Sequence, residues 1–203
     1  MRHTRPSNRP GASKSVESQL RVIGGKLRGR TIHYNGDSGL RPMKDRVREA
    51  VFNLVGPSVV DKTVIDLFAG TGAMAIESLS RGAQSAICIE RRFPNARTIT
   101  ETVESLGVLE QMTVTAGDAF IWVKRHLPGI ASPWLIFCCP PYELYVSRHD
   151  DMLELIRTSW DKAPPESVFV VESDEGFSPT ELPEAATWDT RPYLPAIISI
   201  ARK

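Results

Sequence analysis

The sequence predicts an α/β fold in which a mostly parallel sheet is covered by helices on both faces. A C-terminal antiparallel hairpin closes the sheet, and a small β-hairpin/helix extension precedes it. Three observations carry this reading. From residue 61 onward, apolar β-branched runs alternate with helix-compatible segments. Alternation at that spacing implies right-handed crossovers and a sheet buried on both faces. The chain's end changes pattern: Thr187–Tyr193 and Ala196–Ala201 are neighbouring β-like runs joined at Leu194-Pro195, which suits a hairpin better than another crossover. Finally, Gly70-Thr71-Gly72 breaks the first run of the alternating region sharply into a helix, as glycines do where φ must turn positive.

Taken in order, residues 1–19 have no apolar periodicity and read as a basic flexible tail, with Pro6 and Pro10 opposing a helix. Residues 20–60 form the extension. Leu20–Ile23 and Thr31–His33 flank the turn-rich basic stretch Gly24 to Arg30, and Asp45 is placed to cap a helix running to Val55. Val47, Ala50, Val51, Leu54 and Val55 supply its apolar stripe, and Gly56-Pro57 ends it. In residues 61–203 the strands are Thr63–Phe68, Ser85–Glu90, Met112–Ala116, Trp134–Cys139 and Ser167–Glu172. Helices fall at 72–82, 94–106, 118–127 and 149–160, and the closing hairpin brings the strand count to seven.

Composition narrows the function classes. A chain of 203 residues that is 41% hydrophobic can bury one core and carry a small appendage. Its longest apolar runs are strand-sized, far short of the ~20 residues that span a bilayer. The polar N-terminus shows no secretory h-region. Cys88, Cys138 and Cys139 form no Cys-x-x-Cys pair, and His3, His33, His126 and His149 are scattered. A disulfide framework or zinc site is therefore unsupported, and reduced thiols in a cytoplasmic protein, most simply a monomer, are expected. The net charge of +1 hides +9 on residues 1–48 against −8 on the rest. A basic arm on an acidic body suits a polyanion partner, though a solvated tail would look the same.

The glycine turn has two readings. Gly70-Thr71-Gly72-Ala73-Met74-Ala75 fits the dinucleotide pattern G-x-G-x-x-A, and Glu90 at the next strand end can hold ribose hydroxyls. A nicotinamide oxidoreductase is thus open. Asp66, inside the first strand, argues the other way. A carboxylate there suits a sulfonium cofactor with an ammonium group and would repel a pyrophosphate. Asp118, in Gly117-Asp118-Ala119-Phe120 after the third strand, can accept from an adenine amine or simply cap a helix. The fourth strand ends in Cys138-Cys139-Pro140-Pro141-Tyr142, a rigid loop whose aromatic can stack on an extruded base while backbone carbonyls accept from its exocyclic amine.

The order Asp-x-Phe-x-Gly-x-Gly, then x-Pro-Pro-Tyr, resembles amino-methyltransferases that modify exocyclic nitrogens of nucleobases. Arg21 to Arg30 and Leu40 to Glu49, especially Arg41-Pro42-Met43-Lys44-Asp45-Arg46-Val47-Arg48-Glu49, are similar to the bacterial ribosomal RNA small subunit methyltransferase D family over about residues 20–202. The resemblance implies a Rossmann-like class I methyltransferase fold and S-adenosyl-L-methionine as cofactor. It implies methyl transfer to N2 of a guanine in small-subunit ribosomal RNA; the small size of the chain adds the expectation that a partly assembled subunit presents the base. Asp66, Phe68, Gly70, Gly72, Glu90, Asp118 and Ala119 would hold the cofactor, and Cys139, Pro140, Pro141 and Tyr142 the target base. Arg21, Lys26, Arg28, Arg30, Arg41, Arg46 and Arg48 would grip RNA and close over the cofactor.

Two places depart from the family pattern. Cys139 stands where an aspartate accepts from the target amine, and a neutral thiol is a weak acceptor. A thiolate would itself be a methyl acceptor. One alternative is therefore a cofactor- and RNA-binding pseudoenzyme; another is an adenine-N6 methyltransferase, since the same Pro-Pro-Tyr loop serves both amines. Met43-Lys44 replaces a stretch that usually includes a small hydroxyl residue, which bears only on a local cofactor contact.

Overall fold

The computed structural model describes residues 18–37 and 39–203; the tail lies outside them except for its last two residues. Strands β1 (Ser18–Arg21) and β2 (Thr31–Tyr34) pair antiparallel, and helix α1 spans Asp45–Val55. The body then runs β3 (Thr63–Asp66), α2 (Ala73–Ser80), β4 (Ser85–Glu90), α3 (Phe93–Leu106), β5 (Met112–Ala116) and α4 (Ala119–His126). It continues with β6 (Trp134–Cys138), α5 (Leu144–Ser147), α6 (His149–Lys162), β7 (Val168–Ser173), β8 (Asp189–Tyr193) and β9 (Ala196–Arg202). The seven-stranded sheet has the order β5-β4-β3-β6-β7-β9-β8. Its first five strands are parallel, and β9 pairs antiparallel with both β7 and β8.

Pleating sends alternate side chains to opposite faces, and two apolar clusters record it. Val64, Cys88, Leu135, Phe137 and Val170 pack with α1, α2 and α3. Ile65, Ile89, Ile136, Cys138 and Val171 pack with α4 and α6. Val22, Ile32, Val47 and Val51 of the extension join the first cluster, so extension and body share one core.

The extension is fastened to α2 by buried polar groups. Glu77, fully buried, accepts from the N–H groups of Ile23 (2.8 Å) and Gly24 (2.7 Å) and from Arg81 Nε (2.8 Å). Gly25 sits at φ +75°, and a Cβ there would lie 1.9 Å from the Ser80 carbonyl oxygen. Only glycine lets the loop lie on the C-terminus of α2. Asp45 is not a helix cap as the sequence suggested: Lys44 holds that position without a side-chain hydrogen bond, and Asp45 is the first helical residue, 3.1 Å from Arg48.

From β2 the chain returns along α3 toward the glycine turn. Asn35 donates to Asn95 (2.8 Å), and Asp37 pairs with Arg92 (2.6 Å). Leu40 then reaches the turn itself, where its Cδ2 lies 3.4 Å from the position a Gly70 Cβ would take.

Candidate active site

Strand order reverses at β3, whose neighbours are β4 on one side and β6 on the other. Such a switch point leaves a crevice at the strand C-termini. Leu67 N–H donates to the Phe137 carbonyl at 3.0 Å, so the ends of β3 and β6 open side by side. By the pleat, Asp66 follows Val64, Glu90 follows Cys88, Cys139 follows Phe137 and residue 172 follows Val170, all toward the α1–α3 face. Four polar side chains thus emerge together along one edge.

Gly70 (φ +55°) and Gly72 (φ +74°) both need the left-handed region. They serve different ends. A Cβ at Gly72 would lie 2.9 Å from Ile99 Cγ2, so this glycine lets α2 and α3 pack. Gly70 supplies the turn's left-handed backbone where Leu40 lies over it, its Cδ2 3.4 Å from where a Cβ would stand. Asp66 is buried, and its Oδ2 has no hydrogen-bond partner among the described residues. Burial, then the nearby Glu90 carboxylate, push its pKa up to about 7 against a hydrogen bond from the Phe68 N–H. A buried oxygen without a donor is costly, and an ammonium group placed in the crevice would satisfy it. The residues present therefore fit a cationic ligand.

Glu90 Oε2 accepts from Gly70 N–H (2.9 Å) and Oε1 from Arg92 N–H (2.8 Å), tying the strand end to the turn. Each oxygen keeps a second lone pair for a diol. Asp118 is less free. Its Oδ1 caps α4 by accepting from Phe120 N–H (2.8 Å), and its Oδ2 lies 3.7 Å from Arg148. The helix-cap reading is realised, and a base contact is left to Oδ2. Arg148 stacks 3.7 Å over the Phe120 ring, which meets Phe68 edge-on at 6.1 Å. Ala119 is buried beside them. Arg148 carried no sequence signal, because nothing local brings α6 to α4.

On β6, Cys138 is buried toward α4 and α6, Cys139 is half-buried, Pro140 is buried and Pro141 exposed. Tyr142 is half-buried, and its hydroxyl donates to Glu172 Oε1 at 2.7 Å. The hydroxyl of Tyr145 holds the same residue's backbone by donating to its carbonyl at 2.9 Å. Burial, then the neighbouring Glu172 carboxylate, keep the Cys139 thiol well above its ordinary pKa, so it stays protonated. Glu143 is exposed and precedes α5, its carbonyl accepting from Ser147, which leaves Glu172 as the carboxylate beside Cys139. Glu172 was missed because its role depends on strand order: β7 pairs with β6, with Cys138 opposite Val171.

Of the seven basic candidates, Arg21, Lys26, Arg28, Arg30, Arg41 and Arg46 are exposed. Arg48 is not. It is fully buried and donates to the Arg21 carbonyl and to Asp45, joining α1 to β1, which removes it from any RNA-facing surface. The candidates also do not all gather over the crevice. Lys26 donates to Gln111 and Arg30 to the Ser105 carbonyl, near the C-terminal ends of α2 and α3, whereas Arg46 donates to the Leu194 carbonyl in the β8–β9 turn.

Comparison with known proteins places this geometry among methyltransferases. Residues 20–193 match the family model described as conserved hypothetical protein 95. Ribosomal RNA small subunit methyltransferase D of Escherichia coli K12 is 49% identical over 128 residues, 63% of this chain and 63% of that relative. "Putative rRNA methyltransferase YlbH" of Bacillus subtilis is 34% identical over 61% of this chain and 67% of its own length. Among solved structures, the Escherichia coli "Putative methyltransferase yhhF" superposes with a TM-score of 0.75 at 26% identity, covering 92% of this chain and 98% of the other.

Proposed function

The chain belongs to the family described as conserved hypothetical protein 95, and on that premise we propose that it methylates the exocyclic N2 amine of a guanine in small-subunit ribosomal RNA, using S-adenosyl-L-methionine. One observation carries the reading: the orphaned Asp66 oxygen and the Cys139–Tyr142 loop end adjacent strands at the switch point. Asp66 would take the cofactor's ammonium, Glu90 its ribose hydroxyls, and the Phe68, Asp118 and Ala119 wall its adenine. When bound, the cofactor supplies an electrophilic methyl group.

The protein's own contribution is placement. The Pro140 and Pro141 ring constraints fix the loop, Tyr142 offers a half-exposed ring to an unstacked base, and carbonyls of the loop orient its amine. Proximity of this kind can supply much of the acceleration. The exposed cations of the extension would hold the phosphate backbone, with recognition resting on RNA shape and a splayed base. The RNA would be presented to this site by a partly assembled subunit.

The test is transfer of a labelled methyl group to small subunits from cells lacking this protein, followed by identification of the product nucleoside. N2-methylguanosine supports the proposal. N6-methyladenosine would redirect it to the other amine, and cofactor binding without any transfer would make the protein a binding module.

A further inference from the structure

Cys139 leaves the target amine without the acceptor that the motif position would normally supply, but the structure provides a carboxylate one strand away. Val171 is paired with Cys138, so Glu172 follows Val171 as Cys139 follows Cys138, on the same face of the sheet. Tyr142 donates to one Glu172 oxygen at 2.7 Å, and the Cys139 thiol stands close enough to the same carboxylate for each to shift the other's pKa. Tyr145 fixes its backbone from the other face. One residue of the base-binding loop thus bonds, and a second adjoins, one side chain that nothing in the motif specifies.

We propose that Glu172 is the acceptor for the target amine, with Cys139 and Tyr142 as the donors that position its carboxylate. The inference rests on the methyltransferase reading. As the amine lone pair forms the new N–C bond, the methyl's bond to sulfur breaks and its electron pair stays on sulfur. The nitrogen then carries a positive charge, and one of its protons passes to Glu172 and on to water.

The surroundings suit that role. Burial raises the Glu172 pKa above the usual carboxylate range, and the Tyr142 hydroxyl and the Cys139 thiol pull it back. The result is a more basic carboxylate than a free one, with a stable orientation. The thiol that faces it stays protonated and so donates, which keeps the sulfur from competing for the methyl. The other charged groups bearing on this cluster are Asp66, which acts on Cys139, and Asp174, which acts on Tyr142; both are acidic and favour protonation. No cation is placed to quench the carboxylate among the groups that shift it.

The experiment compares wild type, Glu172→Gln and Glu172→Ala in the presence of S-adenosylhomocysteine. It measures the affinity for guanosine against that for inosine, which lacks only the exocyclic amine. If the carboxylate accepts from that amine, wild type prefers guanosine roughly 5-fold or more, and the preference collapses toward unity in Glu172→Ala. Glu172→Gln keeps an acceptor for Tyr142 but cannot take a proton. Its methyl transfer should fall on the order of 10²–10⁴-fold and lose the acid limb of the pH profile, with S-adenosylhomocysteine affinity unchanged. A guanosine preference that survives in Glu172→Ala, or a Glu172→Gln rate and pH profile like wild type, overturns the assignment. Absence of methyl transfer by wild type, with the preference present and lost in Glu172→Ala, sinks the enzymatic reading while keeping Glu172 as the amine acceptor.

Discussion

At the scale of single residues, Asp66 shows a site held ready at the expense of stability. Its folded pKa of about 7 lies above the ordinary carboxylate value because burial and Glu90 oppose ionisation. A group raised in this way contributes stability that is complete below the unfolded value near 4 and is lost as pH rises through 7. Asp66→Asn should therefore stabilise the ligand-free protein at pH 8 by on the order of 1–4 kcal/mol, with little gain at pH 4. Thermal melts at the two pH values check this. The same variant should lose cofactor affinity, because an amide cannot pair with an ammonium. In the wild type, cofactor affinity should weaken as pH falls below about 7, where Asp66 takes up a proton.

Cys139 yields a second residue-scale prediction. As a protonated neighbour of Glu172 that would donate to it under the proposal, it is replaceable in a way that an acceptor would not be. Cys139→Ser should keep methyl transfer within roughly 10-fold, since a hydroxyl still donates. Cys139→Asp should give no large gain, because two carboxylates in contact cannot both ionise readily. A Cys139→Asp enzyme much faster than wild type would show that the native site lacks an acceptor and that Glu172 does not serve.

At the scale of elements, the strands and helices of the body were legible because their periodicity is local. The predicted strand Ser85–Glu90 coincides with β4, and the predicted helix over 94–106 begins one residue early, at Phe93. What the sequence could not show was which elements meet. The buried pairing of Arg48 with the Arg21 carbonyl spans 27 positions, and Glu77 reaches Ile23 across 54. A run of basic residues cannot say which member turns inward. Gly24-Gly25 likewise reads as a turn, although its stricter role is contact with Ser80. Gly25→Ala should therefore cost roughly 2–4 kcal/mol, from the φ of +75° and the 1.9 Å approach together. Urea unfolding measures that loss. RNA affinity should fall in parallel while cofactor affinity holds, because Asp66 and Glu90 do not touch the loop.

At the scale of the whole molecule, the basic surface divides into two parts. Lys26 and Arg30 lie near the C-terminal ends of α2 and α3, while Arg46 lies beside the β8–β9 turn. Helix α2 has 8 residues, which at about 1.5 Å per residue separates its two ends by roughly 12 Å. An RNA held by both parts must run along the extension, and only the part near α1 stands close to the reacting edge. The two parts should accordingly fail differently. Charge reversal at Lys26 and Arg28 unpairs phosphates remote from the crevice, so RNA affinity should drop and its salt dependence should flatten by roughly one for each phosphate left without its cation. The rate at saturating RNA should stay near that of wild type. Reversal at Arg41 and Arg46 should lower affinity similarly and also slow the saturated rate, because Arg41 follows Leu40, which lies on the glycine turn, and Arg46 reaches the β8–β9 turn. Binding isotherms across a salt series, paired with single-turnover rates, separate the outcomes. Equal effects of both pairs on the saturated rate would mean that the extension acts as one undivided electrostatic surface.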